Sequence, residues 1–296
     1  MGTGRLFVVA TPIGNLDDLS PRAADVLRRA AAIFCEDTRV TGKLAARFGF
    51  SAPRISCHAH NEEKRIADVV GRLRAGQEVA LVSDAGTPAF SDPGERIVAA
   101  AAAAGFPVVA VPGPSAAAAA LSVSGLPAVP HLFLGFPPAK PGARRAFFAA
   151  CRDRRETLVW FEAPHRLAAS LADAAAALGD RPAVVARELT KVHEETLRGG
   201  LASLRDAVAG REAVRGECVV VARGAPASEG SASADAVEAR IASPDVEARI
   251  ASPGIDARIE RLEGRGLPAR EIARRIAGET GISSRDVYRR IVERRR

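Results

Sequence analysis

Short apolar runs, many of them β-branched, alternate with helically periodic segments over the first 120 residues. The runs fall at 6–10, 33–35, 54–57, 79–83 and 108–111, and helices are predicted at 20–30, 41–48, 62–75, 94–104 and 115–122. This alternation predicts a mostly parallel sheet with helices on its faces. Ser20-Pro21 supplies a helix N-cap followed by proline at the first helical position, a specific start signal.

After Gly125-Leu126-Pro127 the rhythm changes. Strands are predicted at 131–135, 157–161, 183–188, 194–199 and 217–222, with helices at 143–152, 164–178 and 201–209. The strands at 183–188 and 194–199 are close enough for a hairpin, so a mixed sheet is expected. The pattern divides the chain into an N-terminal α/β domain at 1–124 and a mixed α/β domain at 125–224.

Residues 225–256 are rich in Ala, Ser, Pro and Asp and read as a linker. Residues 237–244 recur unchanged at 246–253, with a weaker third copy at 255–260. So few nine-residue copies cannot build a solenoid, and an expanded, partly helical linker without chemistry of its own is expected. The end of the chain, 257–296, has helical stretches at 267–278 and 282–292 around a short connection ending in Gly281. Ile272, Ala273, Ile276 and Ala277 make one apolar face and Val287, Tyr288, Ile291 and Val292 another, a helix-turn-helix pattern.

Composition changes this picture in three ways. With 296 residues the chain is long enough for two ordinary domains plus a small module. The basic residues are 38 Arg and 4 Lys, a bias that makes arginine abundance alone uninformative. Charge placement is more telling: residues 257–296 hold 12 Arg against 6 acids, or +6, leaving 30 bases and 29 acids, or +1, in the first 256. A basic terminal module of this kind is expected to meet a polyanion.

The four cysteines are far apart and form no C-x-x-C pair, which argues against a disulfide framework or zinc site. His193-Glu194-Glu195 has no partner at ligand spacing, so no metal is expected. Residues 97–139 carry no charged side chain, but Pro107, Pro112, Gly113, Pro114 and Gly125 break the stretch into pieces too short to span a bilayer. No secretory signal pattern is present, and a soluble, cytoplasmic protein is expected.

Ligands bind open parallel sheets at the carboxyl ends of the strands, where loops diverge. Here those loops are Thr11-Pro12-Ile13-Gly14-Asn15, Ser83-Asp84-Ala85-Gly86-Thr87-Pro88 and Pro112-Gly113-Pro114-Ser115, all expected at one edge. Neither a dinucleotide-binding glycine fingerprint nor a P-loop occurs. Small residues and prolines instead form a wall of exposed backbone that can hydrogen-bond an adenine and ribose and admit one buried carboxylate, Asp84.

These loops, with Glu36-Asp37-Thr38-Arg39, His58-Ala59-His60-Asn61, Glu162-Ala163-Pro164-His165-Arg166, Ala186-Arg187-Glu188-Leu189-Thr190-Lys191 and Gly216-Glu217, resemble the ribosomal RNA small subunit methyltransferase I family. That family belongs to the tetrapyrrole-methylase-like enzymes that use S-adenosylmethionine. The resemblance covers residues 5–223 in order, together with the basic helix-turn-helix end. It implies a two-domain α/β fold with the cofactor between the domains, a homodimer, and methylation of a cytidine ribose 2′-hydroxyl in the decoding region of small-subunit ribosomal RNA, free or in the 30S subunit. By similarity Pro12, Ile13, Asp84, Thr87, Ser115 and Ala116 would contact the cofactor from the first domain, and Phe161, Ala186 and Val219 from the second. The repeats at 235–256 depart from the family as an insertion.

A ribose hydroxyl is a poor nucleophile at neutral pH, so a base, or a cation that stabilises the developing alkoxide, should assist. Candidates are Glu36, Glu188 and Lys191; Asp37 and Glu36 also fit helix capping or arginine pairing, and Lys191 fits catalysis and phosphate binding equally. His58 and His60 are further proton acceptors, or packed or RNA-contacting imidazoles. Arg39, His60, Arg144, Arg145, Arg274, Arg285 and Arg289 are candidates for contacting RNA. Two other functions fit parts of the pattern: a small-molecule tetrapyrrole-type methylase, which leaves the basic end without a purpose, and a ligand-sensing DNA-binding regulator. The latter is disfavoured by the absence of Asn and Gln after 267 for reading bases.

Overall fold

The computed structural model describes residues 4–58, 61–226, 253–264, 267–280 and 284–294. By internal contacts the chain divides into two compact units, Met1–Ala225 and Pro226–Arg296.

The first unit opens with a wholly parallel sheet of β1 (Arg5–Val9), β2 (Ala32–Cys35), β3 (Arg54–Ser56), β4 (Glu78–Val82) and β5 (Val108–Val111), in the order β3-β2-β4-β1-β5. Because successive strand side chains point to opposite faces, one set faces one helix layer and the other set its opposite. Phe7, Val9, Ile33, Cys35, Ala80 and Val82 pack under α1 (Pro21–Arg29) and α2 (Thr38–Phe48). Leu6, Ala32, Phe34, Val79 and Leu81 pack under α3 (Glu62–Arg74) and α4 (Glu95–Ala103). Ser20 caps α1 as expected, its side chain accepting from the Ala23 N–H at 3.1 Å with Pro21 next in line. Helix α2 starts at Thr38, earlier than the apolar pattern indicates, because the Asp37 carboxylate accepts the Arg39 N–H at 2.8 Å and satisfies the first turn.

The second sheet holds β6 (His131–Phe133), β7 (Thr157–Glu162), β8 (Pro182–Arg187), β9 (Glu195–Gly200) and β10 (Cys218–Ala222), in the order β6-β7-β10-β8-β9. Only β6 and β7 run parallel, and β8 and β9 form the expected hairpin with Arg187 opposite Glu195. One face buries Leu158, Trp160, Val185 and Val220 under α6 (Pro141–Ala149), α7 (Leu167–Leu178) and α8 (Leu201–Ala209). The other face receives α5 (Ala116–Ser124), whose Ala117, Ala120 and Leu121 meet Val159, Val184, Val219 and Val221. Helix α5 follows the last strand of the first sheet yet packs on the second, so it joins the two.

The C-terminal unit contains α9 (Pro253–Glu263), α10 (Ala269–Thr280) and α11 (Ser284–Arg294). The last two are the helix-turn-helix pair. Helix α9 takes up the third repeat copy, whose Ile255 and Ile259, one turn apart, bury against Ile272, Ile276, Val287 and Ile291. The segment is therefore part of a three-helix core, because its i, i+4 apolar pair has a partner surface. The two fuller repeat copies fall largely outside the described residues.

Candidate active site

The three strand-end loops of the first sheet meet, and backbone hydrogen bonds hold them. Thr11 and Gly86 exchange N–H···O bonds of 2.9 and 3.0 Å, Thr11 Oγ1 donates to the Ser83 carbonyl at 3.0 Å, and Thr87 Oγ1 donates to the Pro114 carbonyl at 3.3 Å. The first loop also reaches the second sheet: the Asn15 N–H donates to Thr190 Oγ1 at 3.0 Å. A Cβ at Gly14 would sit 2.5 Å from Lys191 Cγ, so only glycine permits this approach. Gly216 has φ +90 and a Cβ there would meet Glu188 Cδ at 2.2 Å, so it draws the 188–191 and 216–217 loops together in the same way.

Between these loops lies a cavity of about 430 Å³. Of the residues expected at the cofactor, Ile13, Asp84, Thr87, Ser115, Ala116, Phe161 and Val219 line it. Pro12 and Ala186 do not. Pro12 is buried, and Ala186 sits beside Val219 on the neighbouring strand β8, packed with Ile13 and Leu189. The wall also contains Phe90, Ser91, Asp92, Phe136, Glu162 to Pro164, Gly216, Glu217 and Cys218, none of them singled out as cofactor contacts from sequence. Phe90 stacks on Phe133 at 4.5 Å between centroids, and Phe133 and Phe136 meet the Phe161 ring edge-on at 4.9 and 5.4 Å. This aromatic chain crosses from the β4 loop to β7. It brackets a loop in which Ala89 and Ser91 both hold positive φ, +64 and +67, a strain that persists where surrounding structure enforces it. Glu62, itself buried, anchors the end of that loop by accepting the Gly94 and Arg96 N–H groups at 2.9 and 3.1 Å.

Glu162 is the least expected wall residue. Its side chain has no solvent exposure; Oε1 lies 3.1 Å from Arg166 Nε and accepts the Ala163 N–H, while Oε2 is buried without a hydrogen-bond partner. A buried acceptor left unmet is costly. Its motif was visible in the sequence, but nothing there placed the residue at the cavity.

Asp84 is shared with a second, open polar cleft of about 440 Å³ lined by Glu36, Asp37, Thr38, Arg39, Ser56 and His58. Asp84 Oδ1 accepts the Asp37 N–H at 2.9 Å. Burial, then the Asp84, Asp92 and Asp37 carboxylates, raise the pKa of half-buried Glu36. Asp37 is held at about 2 by its hydrogen bonds to Arg39. Asn61 Nδ2 donates to His58 Nε2 at 3.1 Å, and His60 lies outside the described residues.

Glu188 and Lys191 come together as expected, but chiefly with one another. Lys191 Nζ lies 2.8 Å from Glu188 Oε1 and 3.0 Å from Glu217 Oε2. Burial works to lower the lysine pKa, and the two carboxylate hydrogen bonds outweigh it, leaving the value raised. Glu188 is lowered by its hydrogen bond to Lys191, against burial. A firmly cationic lysine paired with an anionic glutamate is poorly placed to accept a proton.

The RNA candidates divide sharply. Arg144, expected at an accessible helix start, is buried; its Nε donates to Asp173 Oδ2 at 2.8 Å, with 5% and 14% of the two side chains exposed. Arg144 is therefore a structural residue and not an accessible RNA contact, since helix α6 turns it inward toward α7 while the adjacent Arg145 stays exposed. Arg39 is 87% exposed beside Asp37. On the C-terminal unit, Arg274 and Arg285 line a groove of about 530 Å³ with Arg270, Glu271, Ser284 and the part-exposed Tyr288. Arg289 lies outside it, exposed and 3.2 Å from Asp286. Among the described residues no helix is long and apolar enough to cross a membrane.

Residues 5–205 match the tetrapyrrole (corrin/porphyrin) methylases. Ribosomal RNA small subunit methyltransferase I of Pseudomonas aeruginosa is 49% identical over 243 residues, 81% of this chain and 86% of that protein. The protein of that name from Xylella fastidiosa strain Temecula1 is 53% identical over 224 residues, 75% and 82% of the two chains. The one from Synechocystis is 39% identical over 294 residues, 98% of each. Among solved structures, a cobalt precorrin-4 methyltransferase superposes with TM-score 0.56 at 18% identity, covering 74% of this chain and 94% of that one. A uroporphyrin-III C-methyltransferase from Thermus thermophilus gives 0.52 at 21% identity, covering 74% and 94%. These two likenesses bear on the fold alone.

Proposed function

Because the chain belongs to the tetrapyrrole (corrin/porphyrin) methylase family, we propose that it methylates small-subunit ribosomal RNA at the ribose 2′-hydroxyl of a decoding-region cytidine. S-adenosylmethionine is the methyl donor and supplies an electrophilic methyl group on a sulfonium. The observation that carries the reading is the sharing of Asp84 by two clefts, an aromatic-walled cavity suited to the donor and an open polar cleft suited to a nucleotide. The apolar surface of Ile13, Ala116, Phe161 and Val219, with Asp84, Thr87 and Ser115 beside it, fits a ligand with an apolar body and N–H or O–H donors.

Bound there, the donor would give its methyl to the ribose oxygen, its sulfur keeping the carbon–sulfur electron pair while the hydroxyl proton passes to a base. Holding donor and acceptor in line supplies much of the acceleration. Glu36 is the proton acceptor in this reading: it opens on the polar cleft, and its raised pKa makes it a better base than Glu188. Lys191, with its two carboxylates, ties the 188–191 loop to Glu217 at the cavity edge. The arginines and Tyr288 of the C-terminal groove hold RNA by charge and stacking. The reading extends to a homodimer acting in the cytoplasm on the 30S subunit or its RNA, and to separate domains at 1–124 and 125–224, with Pro12 and Ala186 supporting the cofactor wall from behind.

The test is incubation with labelled S-adenosylmethionine and unmodified small subunits or extracted RNA, followed by nucleoside analysis. Labelled 2′-O-methylcytidine supports the reading. Label on another nucleoside, or none on RNA although the donor binds, overturns it in favour of a different acceptor.

A further inference from the structure

Glu62 is a buried carboxylate that lines neither cleft. It opens helix α3 directly after the turn that carries His58 of the polar cleft. Asn61 ties that turn together: its side-chain oxygen accepts the His58 N–H at 2.8 Å and its amide donates to the Ser56 carbonyl at 3.2 Å. From there Glu62 Oε1 reaches the start of α4 and accepts the Gly94 and Arg96 N–H groups. Helix α4 cannot supply this cap itself. Its N-cap residue is Gly94 at φ +133, where a Cβ would come within 2.9 Å of Leu81 Cδ2, so the Ser, Thr, Asp or Asn that ordinarily caps a helix does not fit.

The loop that ends at this cap begins at Asp84 and gives the cavity wall Asp84, Thr87, Phe90, Ser91 and Asp92. Its first residue is held by the other turn of the polar cleft, since Asp84 Oδ1 accepts the Asp37 N–H. Both ends of a loop that shapes the cavity are thus tied to turns of the polar cleft. Between the ties Ala89 and Ser91 keep positive φ, a strained conformation that persists only while the surrounding structure enforces it. Resting on the reading of the two clefts as donor and acceptor sites, we propose that Glu62 is a positioning residue for methyl transfer. It touches neither substrate, and by capping α4 from the acceptor side it fixes Phe90, Ser91 and Asp92 against the donor. A carboxylate suits this task, because an anion at a helix N-terminus is favoured by the helix dipole as well as by its hydrogen bonds.

The test compares Glu62→Ala and Glu62→Gln in the full-length protein, at a temperature where thermal melts show both folded. Glu62→Ala should weaken S-adenosylmethionine binding about tenfold by calorimetry and raise the donor KM in parallel, with kcat at saturating donor and RNA within about threefold of the parent. Glu62→Gln keeps an oxygen at the same reach and should restore donor affinity to within about threefold. A residue that only stabilised the fold would lower the melting temperature and leave the donor KM as it was. Unchanged donor affinity in folded Glu62→Ala overturns the proposal, as does a glutamine variant no better than alanine. Hydrogen exchange on the unmodified protein needs no variant: bound donor should slow exchange across residues 86–96, and equal exchange with and without donor overturns the proposal too. Ala116→Trp, which fills the cavity, is expected to abolish donor binding. Full binding in that variant places the donor elsewhere and overturns the underlying reading; lost binding there with unchanged binding in Glu62→Ala overturns only the role of Glu62.

Discussion

The cavity between the two sheets and the groove on the C-terminal unit have opposite chemistry. Among the described residues every charged residue lining the first is acidic, whereas Arg270, Arg274 and Arg285 accompany a single Glu271 in the second. In the proposed function the first receives the methyl donor and the second a polyanion. The comparison also shows that an arginine is informative only by its surroundings. Arg144 belongs to a core, and Arg274 to a solvent-facing groove.

That contrast can be broken or sharpened by substitution. The largest effect is expected for Arg144→Ala, which leaves Asp173 buried and unpaired and should cost about 3–5 kcal/mol in denaturant unfolding without altering RNA affinity at conditions where the variant is folded. A variant as stable as the parent would return Arg144 to the RNA candidates. Combined Arg270→Ala, Arg274→Ala and Arg285→Ala should weaken binding to small subunits by about 10- to 100-fold at moderate salt. The same variant should flatten the slope of log affinity against log salt by about 2 and leave donor affinity unchanged, as read by filter binding and calorimetry. Unchanged RNA binding would remove the groove from the contrast.

Asp84→Ala should lower donor affinity by about 1–3 kcal/mol, because it removes a polar group common to both clefts. Calorimetry showing no loss would detach the cavity from the donor. The smallest effect concerns an acid remote from both clefts. Glu195 is held at about 2, chiefly by its hydrogen bond to Arg211 and also by Arg187, against burial. A depressed folded pKa stabilises above the unfolded value near 4.5, and that stabilisation disappears as pH falls toward 2. Glu195→Gln should therefore cost about 1–2 kcal/mol at neutral pH, with the gap closing below pH 4.5 in thermal melts; a gap independent of pH would refute the ion-pair account.

Much of the scaffold was readable from residue order. Short continuous apolar runs between helical stretches specify a parallel sheet with both faces covered, and the Ser20-Pro21 cap and the Pro- and Gly-rich strand ends punctuate it where the structure does. Helix α9 was less readable: Ile255 and Ile259 look like remnants of a linker repeat until α10 and α11 supply the surface they bury against. Arg144 was misread because the two arginines at 144 and 145 are equivalent in composition, and only the direction of α6 against α7 sends one inward.

The candidate site divides in the same way. Ile13, Asp84, Thr87, Ser115 and Ala116 sit in loops whose residue types already mark a ligand edge, because an open parallel sheet gathers its strand-end loops on one side. Phe90, Asp92, Phe136, Glu162 and Glu217 reach the same cavity from segments up to 127 positions apart in the chain. Local pattern reports which face of an element is apolar and where it begins and ends, since those depend on neighbours one turn or two residues away. It carries no information on which distant loops meet. That followed here from the packing of α5 on the second sheet, the close approaches allowed by Gly14 and Gly216, and the stacked phenylalanines, and with them came the charge of the cavity.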